Sequence, residues 1–364
     1  MSARLPRTAA ILGGGAVGSV LLPALRTAGV RIVATWNRTP KPPLWRSGPF
    51  PRAIREAEVV FLAVSDAAVS DLCRDLAATK VVGAGQLVVH LAGALDLDVL
   101  GFALHNGARI GSLHPLRAIP AGSRADALIG ATAGVAGSDD DALGSLSLLA
   151  EALQMHPLRT AGDRALYHAS AVLAAGGQIA LFAEATRAFS HATGATLAES
   201  RAALLPLTKG ALAQLEAHQP SEIITGPVVR GDVGTVRAHL AALERFGVDL
   251  SALYWLLSSA AVRLAGDGGR TSPEALVAIV EALKDAGASL IPGGPRGSSA
   301  QRPAAQGHAH ADPHDHGHAH SHDHAHARPS AKGKPKLVSV QAAPAKGKPA
   351  KPARPAKAKA KPRR

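Results

Sequence analysis

Two histidines stand where they could move a proton. His168 follows Tyr167 near the start of a long helical pattern, and His114 precedes Pro115 at the end of a short apolar run. Imidazole titrates near neutral pH, so either ring could donate to the alkoxide that develops when a carbonyl is reduced. His168 is the first candidate for that role and His114 the second. Each could instead be a structural histidine whose nitrogens are satisfied inside the fold.

A second group of residues has the chemistry to hold a phosphorylated cofactor. Gly13, Gly15 and Gly18 form a G-x-G-x-x-G turn between an apolar run (Thr8 to Leu12) and an apolar-periodic stretch (Ala16 to Ala28). Strand, glycine turn and helix is the context in which this motif binds a dinucleotide. Gly13 allows the tight turn, Gly15 lets a pyrophosphate approach, and Gly18 lets the helix pack on the strand. The first helical amides, at Ala16 and Val17, face the phosphates. The next apolar run, Val30 to Trp36, ends in Asn37-Arg38-Thr39, and no Asp or Glu occurs between Gly18 and Arg55. A carboxylate at this place would take the ribose 2′-hydroxyl of NAD, whereas an Arg accommodates the 2′-phosphate of NADP. The pattern therefore predicts NADP, with Asn37, Arg38 and Thr39 at the 2′-phosphate.

These residues need a scaffold, and the chain alternates short apolar strands with helical patterns. Further strands are expected at Glu58 to Val64, Gln86 to Leu91, Arg109 to Leu113, Thr132 to Ala136 and Met155 to Leu158. Helices are expected over Asp66 to Ala78, Leu95 to Asn106 and Asp139 to Leu153. Such repetition implies an α/β domain with a mostly parallel sheet. Pro23 should kink the first helix. Ligands bind beyond the carboxyl ends of the strands, which places Val64 and Ser65, and then His90 and Gly93, beside the cofactor. Asp66 is expected to cap the helix that follows.

From Asp163 the pattern becomes helical throughout: Arg164 to His191, Ala195 to Leu205, Leu207 to His218, Val233 to Arg245, Leu250 to Ala265 and Pro273 to Ala286. The expected organisation is a Rossmann-like domain over 1–162, a helical domain over 163–291 and a disordered tail over 292–364. In the loop before Val233, Arg230 could clamp a substrate carboxylate, with Asp232 beside it as a helix cap. A purely structural Arg–Asp pair is the alternative.

The net charge resides in the tail. The net charge of +13 equals the 13 Lys and Arg of residues 328–364, which contain no acid, so the rest of the chain is neutral. Nucleic-acid binding by the body has no electrostatic support; the tail could attach to nucleic acid or another polyanion in a salt-dependent way. Nine histidines, His308, His310, His314, His316, His318, His320, His322, His324 and His326, precede the basic stretch and could hold Ni or Zn loosely. Low complexity without a function is the other reading of that tract. Cys73 is the only cysteine, which excludes an intrachain disulfide and fits a reducing, cytoplasmic compartment. The N-terminal apolar run, broken by glycines, does not read as a secretory signal. No stretch of about 20 residues is cleanly apolar, so no membrane span is expected.

Taken with Ala63-Val64-Ser65-Asp66, His90-Leu91-Ala92-Gly93, Ser112-Leu113-His114-Pro115-Leu116, Tyr167-His168-Ala169 and Thr225-Gly226-Pro227-Val228-Val229-Arg230-Gly231-Asp232, the first 290 positions resemble a known bacterial family. It joins an N-terminal Rossmann-like domain to a helical domain of unknown function 2520. Its wider relatives are ketopantoate reductase, pyrroline-5-carboxylate reductase and the 3-hydroxyacid dehydrogenases. The resemblance implies an NADP-dependent oxidoreductase that reduces a small keto or imino acid, with a ketopantoate-like substrate favoured, and a homodimer formed through the helical domain. Two departures motivate an alternative. Gly176-Gly177 stands where an Asn is common in the family, and the helix lacks the Lys used by the hydroxyacid dehydrogenases. A catalytically weak NADP-binding sensor or scaffold with a metal- and polyanion-binding tail is that alternative.

Overall fold

The computed structural model describes residues 3–290. The metal and polyanion expectations for His308 to His326 and for residues 328–364 lie outside the described residues. Seven strands form one sheet in the order β2-β1-β3-β4-β5-β6-β7. They are β1 (Thr8–Leu12), β2 (Arg31–Trp36), β3 (Val59–Leu62), β4 (Leu87–His90), β5 (Arg109–Pro115), β6 (Thr132–Gly137) and β7 (His156–Arg159). All neighbours run parallel except β5 and β6. The order reverses at β1, whose partners are β2 on one side and β3 on the other. A crevice therefore opens beyond the carboxyl ends of β1 and β3, the usual ligand site of open α/β sheets.

The strands read as apolar runs because both faces are covered. One face packs Ile11, Phe61, Val89, Leu113 and Val135 against α1 (Ala16–Thr27) and α4 (Asp140–Ala152). The other packs Leu12, Leu62, Val88 and Ile110 against α2 (Asp66–Ala78) and α3 (Gly101–His105). Helix α1 runs through Pro23 to Thr27. The expected helix from Leu95 to Asn106 is a 3-10 turn, Leu97–Leu100, followed by the short α3. Gly101 is a poor helix former at that joint, and Leu95, Leu97 and Val99 turn onto the sheet face. Ser65, not Asp66, occupies the N-cap position of α2. Asp66 lies in the first turn, where its charge suits the helix dipole.

The remaining helices are α5 (Arg164–Val172), α6 (Gln178–Thr193), α7 (Leu197–Ala213), α8 (Pro220–Ile223), α9 (Val233–Phe246), α10 (Val248–Asp267) and α11 (Pro273–Leu290). A π-helical turn, Leu173–Gly177, joins α5 to α6, at the Gly176-Gly177 departure. Helix α7 was expected as two helices broken at Pro206, yet it continues through that residue. One lost backbone bond is tolerated in an Ala- and Leu-rich helix started by a capping box, in which Thr196 and Glu199 bond each other's backbone amides. Helices α9, α10 and α11 share a small core around Val236, Leu240, Ile279 and Leu283. Two helical stretches, Arg164–Thr193 and Val248–Asp267, are long and apolar enough to cross a membrane by length and composition alone, a test that core helices of soluble proteins also pass. Their few charges stand mostly near the ends, which leaves an apolar middle.

Candidate active site

A cavity of about 810 Å³ lies at the crevice, lined by Gly13, Gly15, Ala16, Val17, Asn37, Arg38, Thr39, Val64 and Ser65 among others. This is within the range of small-molecule and cofactor sites. Gly13 has φ +115°, and a Cβ there would overlap the carbonyl of Ala63. A Cβ on Gly18 would strike the Gly13 carbonyl and approach the Ala63 side chain at 3.2 Å, so α1 and β3 close together only because residue 18 is Gly. Gly15 differs, because nothing lies within 4 Å of its Cβ position. Its backbone stands open to the cavity, as a phosphate cradle requires.

The Pro-rich segment after β2 folds back over this turn, and two residues in it went unrecognised in the sequence. Trp45 is buried with its indole against Gly14, and the Lys41 ammonium donates to the Gly14 carbonyl at 2.8 Å while lining the cavity. A cation three residues beyond Arg38 was the available signal. Asn37 also secures the turn, since its side-chain oxygen accepts from the Gly14 amide at 2.9 Å and its amide donates to the Thr39 carbonyl. Arg38 is exposed at the cavity wall and pairs with no carboxylate among the described residues. Of the acids on that wall, Asp71 and Asp75 are both paired with Arg74.

At the far end the cavity reaches Leu91 and Ala92, and beyond them two histidines converge on Gly93. A Cβ on Gly93 would overlap the His168 ring and lie 2.9 Å from Cε1 and Nε2 of His114. His114 comes from β5 and His168 from α5, and their ring centroids are 5.8 Å apart. Tyr167 lies 3.0 Å through its hydroxyl from Nδ1 of His114. Gly134, beside His114 in the sheet, leaves room for that hydroxyl. Burial, with lesser effects from His168 and the Arg164 guanidinium, pushes the His114 pKa down to about 4, so its ring is neutral at pH 7. With the Tyr167 hydroxyl donating to Nδ1 the ring proton is on Nε2, on the Gly93 side; with Nδ1–H donating to the hydroxyl, Nε2 is an acceptor there. Burial raises the Tyr167 pKa, partly opposed by Arg164, which keeps the hydroxyl protonated.

His90, expected beside the cofactor, is fully buried at the end of β4 and does not line the cavity. Neither ring nitrogen has a hydrogen-bond partner among the described residues. The Asp96 backbone and the Asp98 charge favour its protonation slightly. Burial, Arg164 and His114 outweigh them and lower its pKa to about 4. Because the unfolded value is near 6.5, the unfolded chain binds the proton first as pH falls. Stability is full above pH 6.5, drops between there and pH 4, and levels off below. For His90 alone the loss at pH 5 is about 2 kcal/mol. Urea unfolding of the wild type and of His90→Leu at pH 7.5 and 5 measures it. An equal pH effect in both proteins would show that His90 titrates normally.

Arg230 and Asp232 line neither this cavity nor the one beside Arg164. Asp232 caps α9 by accepting from the Thr235 amide at 3.0 Å. Arg230 is exposed in a segment held by the Thr271 hydroxyl, which donates to the Val229 carbonyl at 2.6 Å. Among the described residues no cluster of His, Cys, Asp and Glu suits a metal ion.

Residues 2–115 match the Rossmann-like domain family, and residues 131–261 match the domain of unknown function DUF2520. The second match begins in the sheet, just before β6, and so includes the last two strands with the helices. No curated protein matches the sequence. Among solved structures, protein TM1727 of Thermotoga maritima is 20% identical with a TM-score of 0.56, over 71% of this chain and 98% of that one. BF3122 of Bacteroides fragilis, a protein assigned as an NADP oxidoreductase, is 19% identical with a TM-score of 0.54, over 70% of this chain and 97% of that one. The protein therefore joins a region that matches a Rossmann-like domain to one that matches DUF2520.

Proposed function

We propose that the protein is an NADP-dependent reductase of a small keto or imino acid. The observation that carries this reading is the glycine turn open at Gly15 with Arg38 and Lys41 beyond β2, where an NAD-binding unit would carry a carboxylate. The amides at Gly15, Ala16 and Val17 would hold the pyrophosphate at the turn that Gly13 makes, Arg38, Thr39 and Lys41 the 2′-phosphate, and Val64, Ser65 and Gly93 the passage toward the histidines. NADPH, when bound, supplies a hydride. His168 donates the proton to the oxygen or nitrogen being reduced, and the neutral His114 orients that atom through Nε2. The description of BF3122 as an NADP oxidoreductase supports this reading.

The protein would act as a homodimer in the cytoplasm. Leu173 and Ile179, at the π-turn and the start of α6, are 68% and 72% exposed in one chain, and a second copy covering them would remove that apolar surface from water. Calorimetry on a sample sized by light scattering tests both points. NADPH is expected to bind at least tenfold tighter than NADH, about 1.4 kcal/mol, to a particle of dimer mass. Equal or absent binding of both cofactors defeats the cofactor reading, and a monomer mass at micromolar concentration defeats the dimer. NADPH oxidation is then followed with 2-keto and cyclic imino acids, ketopantoate first. Tight binding with no turnover on any of them would favour the sensor reading.

A further inference from the structure

A second cavity, of about 370 Å³, is lined by Leu95, Asp96, Ser112, Arg159, Thr160 and Arg164 among others. The loop after β4 separates it from the cofactor cavity, with Leu91 and Ala92 on the first and Leu95 and Asp96 on the second. Gly93 and its two histidines occupy the interval between them.

Arg164 is 4% exposed, and its guanidinium donates to the Thr160 hydroxyl at 2.7 Å and the Ala92 carbonyl at 3.0 Å. Both acceptors are neutral, and its Nε–H has no partner. Asp96 lies near enough to favour the charged guanidinium, but no carboxylate oxygen comes within ion-pair distance among the described residues. The Ser112 hydroxyl, 1% exposed, also lacks a partner. Ser112 is paired with His90 across β4 and β5, and His114 is two residues further along the same face of β5. The guanidinium carbon stands 5.0 Å from the Tyr167 ring centroid, and the Tyr167 hydroxyl meets His114.

A buried charge without a counter-ion and buried donors without acceptors are each unfavourable, and one small anion relieves both. Arginine stays protonated, so the deficit cannot be removed by titration. Arg159 adds a second, exposed cation to the cavity wall. We propose that this cavity binds the carboxylate of the substrate, with Arg164 and Ser112 as its specificity-determining partners. It rests on the reductase reading for the word substrate, and it narrows the substrate class to 2-oxo or 2-imino acids. A carboxylate held at Arg164 then leaves the adjacent carbon beside His114 and His168. Arg230, lining neither cavity, is not required for this contact.

The test uses the full chain with oxamate, which pairs a carboxylate with an unreactive carbonyl, and its neutral analogue oxamide. In calorimetry, with and without NADPH, oxamate should bind and oxamide should bind at least tenfold more weakly. Ser112→Ala should weaken oxamate severalfold and leave the melting temperature unchanged or raised, because it deletes an unpartnered hydroxyl. Arg164→Lys keeps the charge but loses the planar fork, and should weaken oxamate at least tenfold. If Arg164→Lys does not fold, Ser112→Ala decides alone. Oxamate binding that equals oxamide binding, or that Ser112→Ala leaves unchanged, overturns the proposal and identifies a water-filled cavity. NADPH binding without oxamate binding overturns the subsite and spares the reductase reading. Arg164-dependent oxamate binding without NADPH binding does the reverse.

Discussion

Arg38→Ala is expected to lower NADPH affinity on the order of 10- to 100-fold and to leave NADH affinity within roughly twofold, because one charge-assisted phosphate contact contributes about 1.5–3 kcal/mol. The prediction follows from the absence of competition for the guanidinium. Arg38 has no carboxylate partner among the described residues, while Asp71 and Asp75 on the same wall are held by Arg74. NADH has no 2′-phosphate and so does not report the loss. Lys41→Ala should behave differently. Its ammonium also holds the Gly14 carbonyl, so its removal loosens the turn under the pyrophosphate and should weaken both cofactors. Calorimetry with the two cofactors separates the cases, and parallel losses of NADPH and NADH in Arg38→Ala would mean that Arg38 only shapes the loop.

The second large effect concerns turnover. His168→Ala should reduce kcat by about 10²- to 10⁴-fold, the usual contribution of a positioned proton donor, with NADPH affinity retained. His114→Ala should also reduce turnover, since Tyr167 holds the ring at Nδ1 and leaves Nε2 at Gly93. Neither ring lines the cavity around the glycine turn, which is why cofactor affinity should survive. Single-turnover measurements at saturating NADPH give the result. Undiminished turnover in His168→Ala would move the donor role to His114 or to solvent, and loss of NADPH binding in either variant would make that histidine part of the cofactor site.

Much of the architecture was legible because it rests on local pattern. The apolar run before Gly13, the glycine spacing and the alternation of strands and helices all depend on residues close in sequence. The expected strands were found near their expected places, and so were the expected helices, except the one from Leu95 to Asn106 and the pair divided at Pro206. Asn37, Arg38 and Thr39 line the cavity for the same reason, since β2 must end beside the turn that β1 enters.

Other features depend on which distant segments meet, and no local pattern reports that. Trp45 and Lys41 reach Gly14 only because the segment after β2 folds back. His90 looked like a cofactor contact by its place at a strand end, but its register within the sheet turns the ring inward. Pro206 read as a helix end, and α7 passes through it. Arg164 carried no motif at all, because a helix-terminal arginine is ordinarily solvated. Sequence alone determined the strand–turn–helix order and the residue types at the cofactor turn, since those follow from periodicity and backbone sterics. Only the tertiary structure decided which polar groups lose water and which of them lack a partner, because burial belongs to the packed molecule and not to any segment of it.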